Sequence, residues 1–307
     1  MQDRRGSEKF EMNGAGQVPP LRARALLREL GLKAKKRLGQ HFLVDESALK
    51  KIVEAAELAP EDVVLEVGPG LGILTCELAR RVALVIALEM DEEMVRALRH
   101  TVRDFHNIVV LKADALQVDP SAVLREHAAQ LAPSGYKVVA NLPYYITSPM
   151  LRHFLEASLP PRLIVVTVQR EVGKRIVAQP GEMSLLSVAV QIYGQPKIIA
   201  EVPPQSFYPP PKVSSVVLRI QPHTAGRLPA QPTREFFTVV RAGFSAPRKQ
   251  LRNALANGMG LPHAQTVSLL EKAGIAPERR AETLSLPEWE KLRETLAGER
   301  NDILAQS

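Results

Sequence analysis

From Val63 onward the chain alternates between two hydrophobic rhythms. Short, nearly unbroken apolar runs rich in Val and Ile occur at 63–68 (VVLEVG), 83–90 (ALVIALEM), 108–114 (IVVLKAD), 136–142 (YKVVANL) and 163–169 (LIVVTVQ). Runs of that length and branching suit strands covered on both faces. Between them lie segments such as DEEMVRALRHTVRDF (91–105) and SPMLRHFLEA (148–157), whose apolar residues recur every three or four positions, as in an amphipathic helix. Strand and helix in regular alternation predict an α/β fold with a doubly wound, mostly parallel sheet. Two later runs, KIIAEVPP (197–204) and SSVVLRIQP (214–222), bring the strands to seven and bracket a proline-rich loop at 203–212.

The rhythm changes at both ends. Residues 21–32 have helical spacing and follow a tail, 1–20, that contains Gly14, Gly16, Pro19 and Pro20. Beyond about His223 only helical periodicity remains, with Ser285 placed to cap LPEWEKLRETL (286–296). Three parts are therefore expected: a basic tail and short helix at 1–33, a sheet domain at 34–223, and a small all-α domain at 224–307.

With 307 residues, 45% of them hydrophobic, the chain can bury a core of that size. The net charge of +7 becomes informative once divided. Residues 1–40 carry ten basic and four acidic side chains, and residues 224–307 carry twelve and nine, while 41–223 are slightly acidic at −2. Basic flanks around an acidic middle point to an anionic partner held outside the sheet domain. One cysteine, Cys76, excludes an internal disulfide and fits a cytoplasmic setting. The longest purely apolar run, Val82 to Leu88, falls far short of the roughly 20 residues of a membrane span. Charges scattered through residues 1–11 argue against a secretory signal. His41 reads as a lone, structural histidine, so no metal site is expected.

Chemistry collects where the runs end. EVGPGLG (66–72) turns the first run into a helix, and Gly68 and Gly70 let the backbone approach a ligand. The spacing is G-x-G-x-G, with Ile73 where a dinucleotide fingerprint has its third glycine, so a nicotinamide cofactor is disfavoured. Alone, such a loop serves equally well as a tight corner. Glu89 ends the second run, where a carboxylate can accept from both ribose hydroxyls. Asp114-Ala115 ends the third; Asp114 can accept from an adenine amine or cap the next helix. Asn141-Leu142-Pro143-Tyr144 ends the fourth run, across the switch point from the glycine loop. Together these positions outline a crevice for an adenosine-containing cofactor.

Five motifs in order, LGQHFL (38–43), EVGPGLGILT (66–75), NLPYYITSP (141–149), VQREV (168–172) and FYPPPKVSSVV (207–217), closely resemble the ribosomal RNA adenine N6,N6-dimethyltransferase family from about residue 34 to the end. The resemblance implies a methyltransferase sheet and S-adenosyl-L-methionine as cofactor, held by Gln40, His41, Leu43, Gly68, Gly70, Glu89, Asp114, Ala115 and Asn141. It also implies catalysis by Asn141, Leu142, Pro143 and Tyr144. An adenine amine is a weak nucleophile because its lone pair is delocalised into the ring, so the site must align it rather than deprotonate it. The Asn141 side-chain oxygen and a carbonyl of Leu142 or Pro143 can accept the two amine hydrogens. Tyr144 and Phe207 are candidates to stack on the base, or else core aromatics.

The resemblance places an RNA-binding surface in the helical domain, where Arg248, Lys249 and Arg252 follow Arg241, and Lys33, Lys35, Lys36 and Arg37 form a second cluster. It implies a monomer acting on two adjacent adenines near the 3′ end of 16S rRNA, in a small ribosomal subunit precursor, with a role in subunit biogenesis and no membrane or metal. Two departures stand out. His41 occupies a position where the family usually has Asn, and Pro180-Gly-Glu-Met-Ser184 replaces a frequent Tyr-Gly pair. Competing expectations are a large-subunit rRNA adenine methylase of the resistance type, a DNA or protein methyltransferase, and a ribosome-assembly protein without activity.

Overall fold

The computed structural model describes residues 23–131, 135–223 and 234–305; the tail at 1–20 lies outside them. Seven strands form one sheet: β2 (Val63–Val67), β3 (Leu84–Glu89), β4 (Ile108–Lys112), β5 (Lys137–Asn141), β6 (Leu163–Gln169), β7 (Gly194–Val202) and β9 (Ser215–Pro222). Their order is β4-β3-β2-β5-β6-β9-β7, with β9 antiparallel to both neighbours and the other pairs parallel. Each expected run is a strand within one or two residues of its bounds, apart from the start of β7.

Alternate strand residues feed two cores. Val64, Val85, Val139 and Val165 face one side with Ile52 and Leu49, whereas Leu65, Ile86, Val138 and Ile164 face the other with Met150, Phe154 and Leu124. Both faces are dry because helices cover both, which is why these strands read as continuous apolar runs. Edge strand β7 instead alternates exposed and half-buried residues between buried ends and tolerates Pro196. Asp45, Asp91 and Asp119 cap the helices Glu46–Ala55, Glu92–Thr101 and Pro120–His127 with side-chain bonds to first-turn amides. The Ala23–Glu29 helix joins the first core through Ala23 and Leu27.

The chain leaves β2 toward β3 on one side, and β5 lies on β2's other side, so the carboxyl ends of β2 and β5 open a crevice. Over this crevice lies a second, two-stranded sheet of β1 (Phe42–Leu43) and β8 (Phe207–Tyr208), paired Phe42 to Tyr208 and Leu43 to Phe207. The sequence suggested only loops there, since two-residue strands carry no periodicity. Gly70 makes room for it: its φ is +56°, and a Cβ there would lie 2.9 Å from the Phe42 ring.

Four helices follow the sheet: Arg234–Gly243, Leu251–Met259, His263–Lys272 and Leu286–Ala305. They enclose a third core around Trp289, Phe236 and Leu270, which takes in Met183, Val188 and Ile192 from the sheet side. Ser285 and Glu288 form the expected cap, the Ser285 backbone N–H donating to Glu288 Oε2 at 2.7 Å. The departure at 180–184 also finds its contacts here: the Gly181 and Met183 amides both donate to the Glu282 carbonyl, at 2.8 and 3.2 Å.

Candidate active site

The crevice encloses about 1020 Å³, including its open mouth, and its walls carry Gln40, His41, Leu43, Gly68, Gly70, Glu89, Asp114, Ala115 and Asn141 to Tyr144 together. Residues expected from separate motifs thus meet in one place. On the glycine-loop side, Glu89 is 6% exposed. Its Oε2 accepts from the Gly70 amide at 3.2 Å and its Oε1 from the Asp91 amide at 2.9 Å. Each oxygen keeps a further lone pair for a ligand hydroxyl. Burial raises the Glu89 pKa, partly offset by those backbone donors. Asp114 is exposed, with Oδ1 engaged by the Leu116 amide at 3.0 Å, so capping and ligand binding can use different oxygens of one carboxylate.

Glu66, which the sequence presented only as part of the loop, is 1% exposed and lines the same wall. Its Oε2 has no hydrogen-bond partner within bonding geometry among the described residues, and burial, opposed in part by the nearby Thr75 hydroxyl and reinforced by the Glu89 carboxylate, pushes its pKa up to about 8. A carboxyl in the middle of an otherwise apolar strand is the signal that could have marked it.

The opposite wall is neutral and aromatic. Asn141 Nδ2 donates to the His41 carbonyl at 2.9 Å. A carbonyl only accepts, so this contact fixes the amide and leaves Oδ1 as an acceptor without a partner among the described residues. The Pro143 carbonyl already accepts from the Ile146 amide at 3.1 Å, which favours the Leu142 carbonyl as the second acceptor. Tyr144 is half-buried; its hydroxyl lies 2.6 Å from Ser215 Oγ, and its ring stacks on His41 with centroids 5.8 Å apart. His41 Nδ1 lies 2.7 Å from the Pro209 carbonyl, which can only accept, so that nitrogen carries the proton. The residue that departs from the usual motif therefore ties together three segments distant in sequence.

Several assignments change. Phe207 is 3% exposed and packs in the core beside Leu43, so its ring does not reach a base in the crevice; pairing with β1 turns it inward. Gln40 lines the crevice, but its side chain accepts from the Lys35 amide at 2.9 Å and donates to Asp91 at 3.1 Å, holding the segment rather than a ligand. Lys35 is bound to Asp91 at 2.8 Å and Glu93 at 2.6 Å, which removes it from the basic cluster. Arg248 and Lys249 are exposed in the turn after the Arg234–Gly243 helix, away from the crevice lining. Arg252 is different: its Nε is buried without a partner among the described residues and its guanidinium lies 3.9 Å from Glu278, so it is only partly available to an anion. Among the described residues no group of His, Cys, Asp and Glu is arranged to hold a metal, and no helix is long and apolar enough to cross a membrane.

Comparison with known proteins agrees with this geometry. The family model described as ribosomal RNA adenine dimethylase matches residues 31–297. A ribosomal RNA small subunit methyltransferase A from Dehalococcoides mccartyi is 45% identical over 93% of this chain and 97% of its own. One from Moorella thermoacetica is 44% identical over 90% and 97%. Among solved structures, a dimethyladenosine transferase from Plasmodium falciparum superposes with a TM-score of 0.68 at 26% identity, covering 81% of this chain and 95% of that one. The 23S rRNA methyltransferase ErmE gives 0.65 at 27%, covering 83% and 99%. With sheet order, site and sequence in agreement over nearly its whole length, the chain belongs to the ribosomal RNA adenine dimethylase family.

Proposed function

We propose that this protein transfers methyl groups from S-adenosyl-L-methionine to N6 of two adjacent adenines in the 3′-terminal hairpin of 16S rRNA, within a precursor of the small subunit. The observation that carries the proposal is the Asn141 amide, held through Nδ2 so that Oδ1 stands ready to accept an amine hydrogen across the crevice from Glu89. The small-subunit relatives match more closely and more completely than the 23S enzyme ErmE, which favours the small-subunit substrate over the large. The fixed Asn141 and Tyr144 favour an enzyme over an inactive assembly protein.

The residues present fit the cofactor. Glu66 Oε2 is buried in the crevice wall without a hydrogen-bond partner among the described residues, a polar atom left for a group within the crevice, and Glu89 and Asp114 each have a free acceptor position. Glu89 would hold the ribose hydroxyls, Asp114 the adenine amine, and Gly68 and Gly70 the methionyl end through backbone approach. When bound, S-adenosyl-L-methionine supplies an electrophilic methyl on its sulfonium sulfur. Asn141 Oδ1 and the Leu142 carbonyl would accept the two hydrogens of the target amine, turning its lone pair out of conjugation; forming the N–C bond would break the S–C bond, leaving a thioether, and the amine would give up one proton to solvent. Tyr144 supports the base.

Arg248, Lys249 and, in part, Arg252 contact RNA phosphates from the helical end, and the protein acts as a cytoplasmic monomer. Labelled cofactor supplied in parallel to naked rRNA, under-methylated small subunits, duplex DNA and protein tests the assignment. Label on dimethyladenosine of the small subunit is expected; label confined to DNA or protein would refute it. Neutralising Arg248 and Lys249 should flatten the salt dependence of RNA binding while leaving cofactor affinity unchanged.

A further inference from the structure

Two consecutive tyrosines at the crevice are held in opposite ways. Tyr144 is fixed at both ends, by Ser215 at its hydroxyl and by His41 under its ring. Tyr145, next in the same short turn, lines the crevice but is 56% exposed, and among the described residues its hydroxyl and ring have no hydrogen-bond or stacking partner. It is nevertheless seated. The ring lies beside Gly39, where a Cβ would stand 3.4 Å from its Cδ1 and 3.6 Å from its Cε1. The absence of a side chain at Gly39 leaves room beside Cδ1 and Cε1 of the ring, most of which stays exposed. Phe207 is buried and Phe42 is 7% exposed, so Tyr145 is the aromatic surface of the crevice most accessible to an incoming base.

We propose that Tyr145 is a second base subsite: a stacking platform for the unpaired nucleobase adjacent to the target adenine. The proposal rests on the rRNA assignment above. Neighbouring side chains in a tight turn diverge, so Tyr144 and Tyr145 serve two bases, not two faces of one. An RNA strand that delivers one base to Asn141 carries its neighbour across the rim formed by Leu38 and Gly39, just after the exposed Arg37. A stacking platform reads a π face, not an amine edge. It therefore holds an adenine before or after dimethylation, which a subsite that hydrogen-bonded N6 could not do. That property suits an enzyme that modifies two adjacent adenines in one crevice.

The test uses the full chain with under-methylated small subunits and compares wild type, Tyr145→Ala and Tyr145→Phe. Tyr145→Ala should raise KM for subunits about tenfold, as expected for loss of one base–aromatic stack, and leave subunits with one of the two adenines dimethylated, as read by mass spectrometry. Cofactor Kd should stay at the wild-type value, and Tyr145→Phe should restore both RNA readouts. Unchanged KM and unchanged pairing of the two modifications in Tyr145→Ala would overturn the subsite, as would an equal loss of cofactor affinity. If wild type itself transfers nothing to small subunits, the rRNA assignment fails first and the subsite falls with it.

Discussion

The two walls of the crevice are built on different principles. The glycine-loop wall is acidic and assembled from strand ends, with Glu89 held by amides within twenty residues of it. The Asn141 wall is neutral and aromatic, and its side chains are set by contacts from far along the chain: the His41 carbonyl, the Pro209 carbonyl and Ser215. Local backbone suffices to bind a small cofactor, because the ligand's hydroxyls find acceptors wherever parallel strands end. Orienting a weakly nucleophilic amine, the role proposed for Asn141, is more demanding, and the Asn141 side chain is set by a two-stranded flap and by a histidine that clasps it.

The largest expected effect tests whether the second wall does the chemistry. Asn141→Ala should lower the single-turnover rate at saturating cofactor by about 10²–10³-fold, the range for loss of one oriented polar group, with the melting temperature little changed. A rate within threefold of wild type would remove Asn141 from the mechanism. On the first wall, Glu89→Ala should weaken cofactor binding by about 10–100-fold in calorimetry, since hydrogen bonds to a charged acceptor are each worth about 1.5–3 kcal/mol. Because burial raises the Glu89 pKa, cofactor affinity should also start to fall at a higher pH than an ordinary glutamate would give as the solution is acidified.

His41 offers a finer division. Asn at this position can place Nδ2 near the site of the imidazole Nδ1 and keep the bond to Pro209, but it loses the stack on Tyr144; Phe does the reverse. Each variant should slow methyl transfer by about 3–10-fold, in keeping with the loss of one neutral hydrogen bond or one ring contact, at nearly constant cofactor Kd. If both variants act like wild type, the clasp is incidental. The last prediction concerns stability rather than rate. Glu66, with its pKa raised from 4.5 to about 8, keeps its proton in the folded protein after the unfolded chain has lost it. Stability contributed at this position therefore falls as pH rises from 4.5 toward 8. Glu66→Gln should flatten that part of the melting-temperature profile, and identical slopes would show that Glu66 is ionised in the fold.

Most of the first wall was legible beforehand, because near-continuous apolar runs announce buried parallel strands and the catalytic edge of such a sheet is set by topology. Gly68, Gly70, Glu89 and Asp114 fall where their runs end. Glu66 was harder to see as a residue in its own right, since one carboxyl within a strand also fits an exposed edge. Phe207 shows why motif and role can separate: its motif left it either a stacking candidate or a core aromatic, and pairing with Leu43 buries it. Lys35 looked like a free cation until Asp91 and Glu93 were brought against it.

By itself, then, the sequence determined the alternating α/β plan, the helical end, the family and the residues that gather at the carboxyl edge, because period, strand ends and glycine turns are local properties. Tertiary structure decided which way the Asn141 amide points, which aromatics face the crevice and which cations remain available. Those outcomes depend on partners dozens to more than a hundred residues away, and no local pattern encodes the contact that selects among a side chain's orientations.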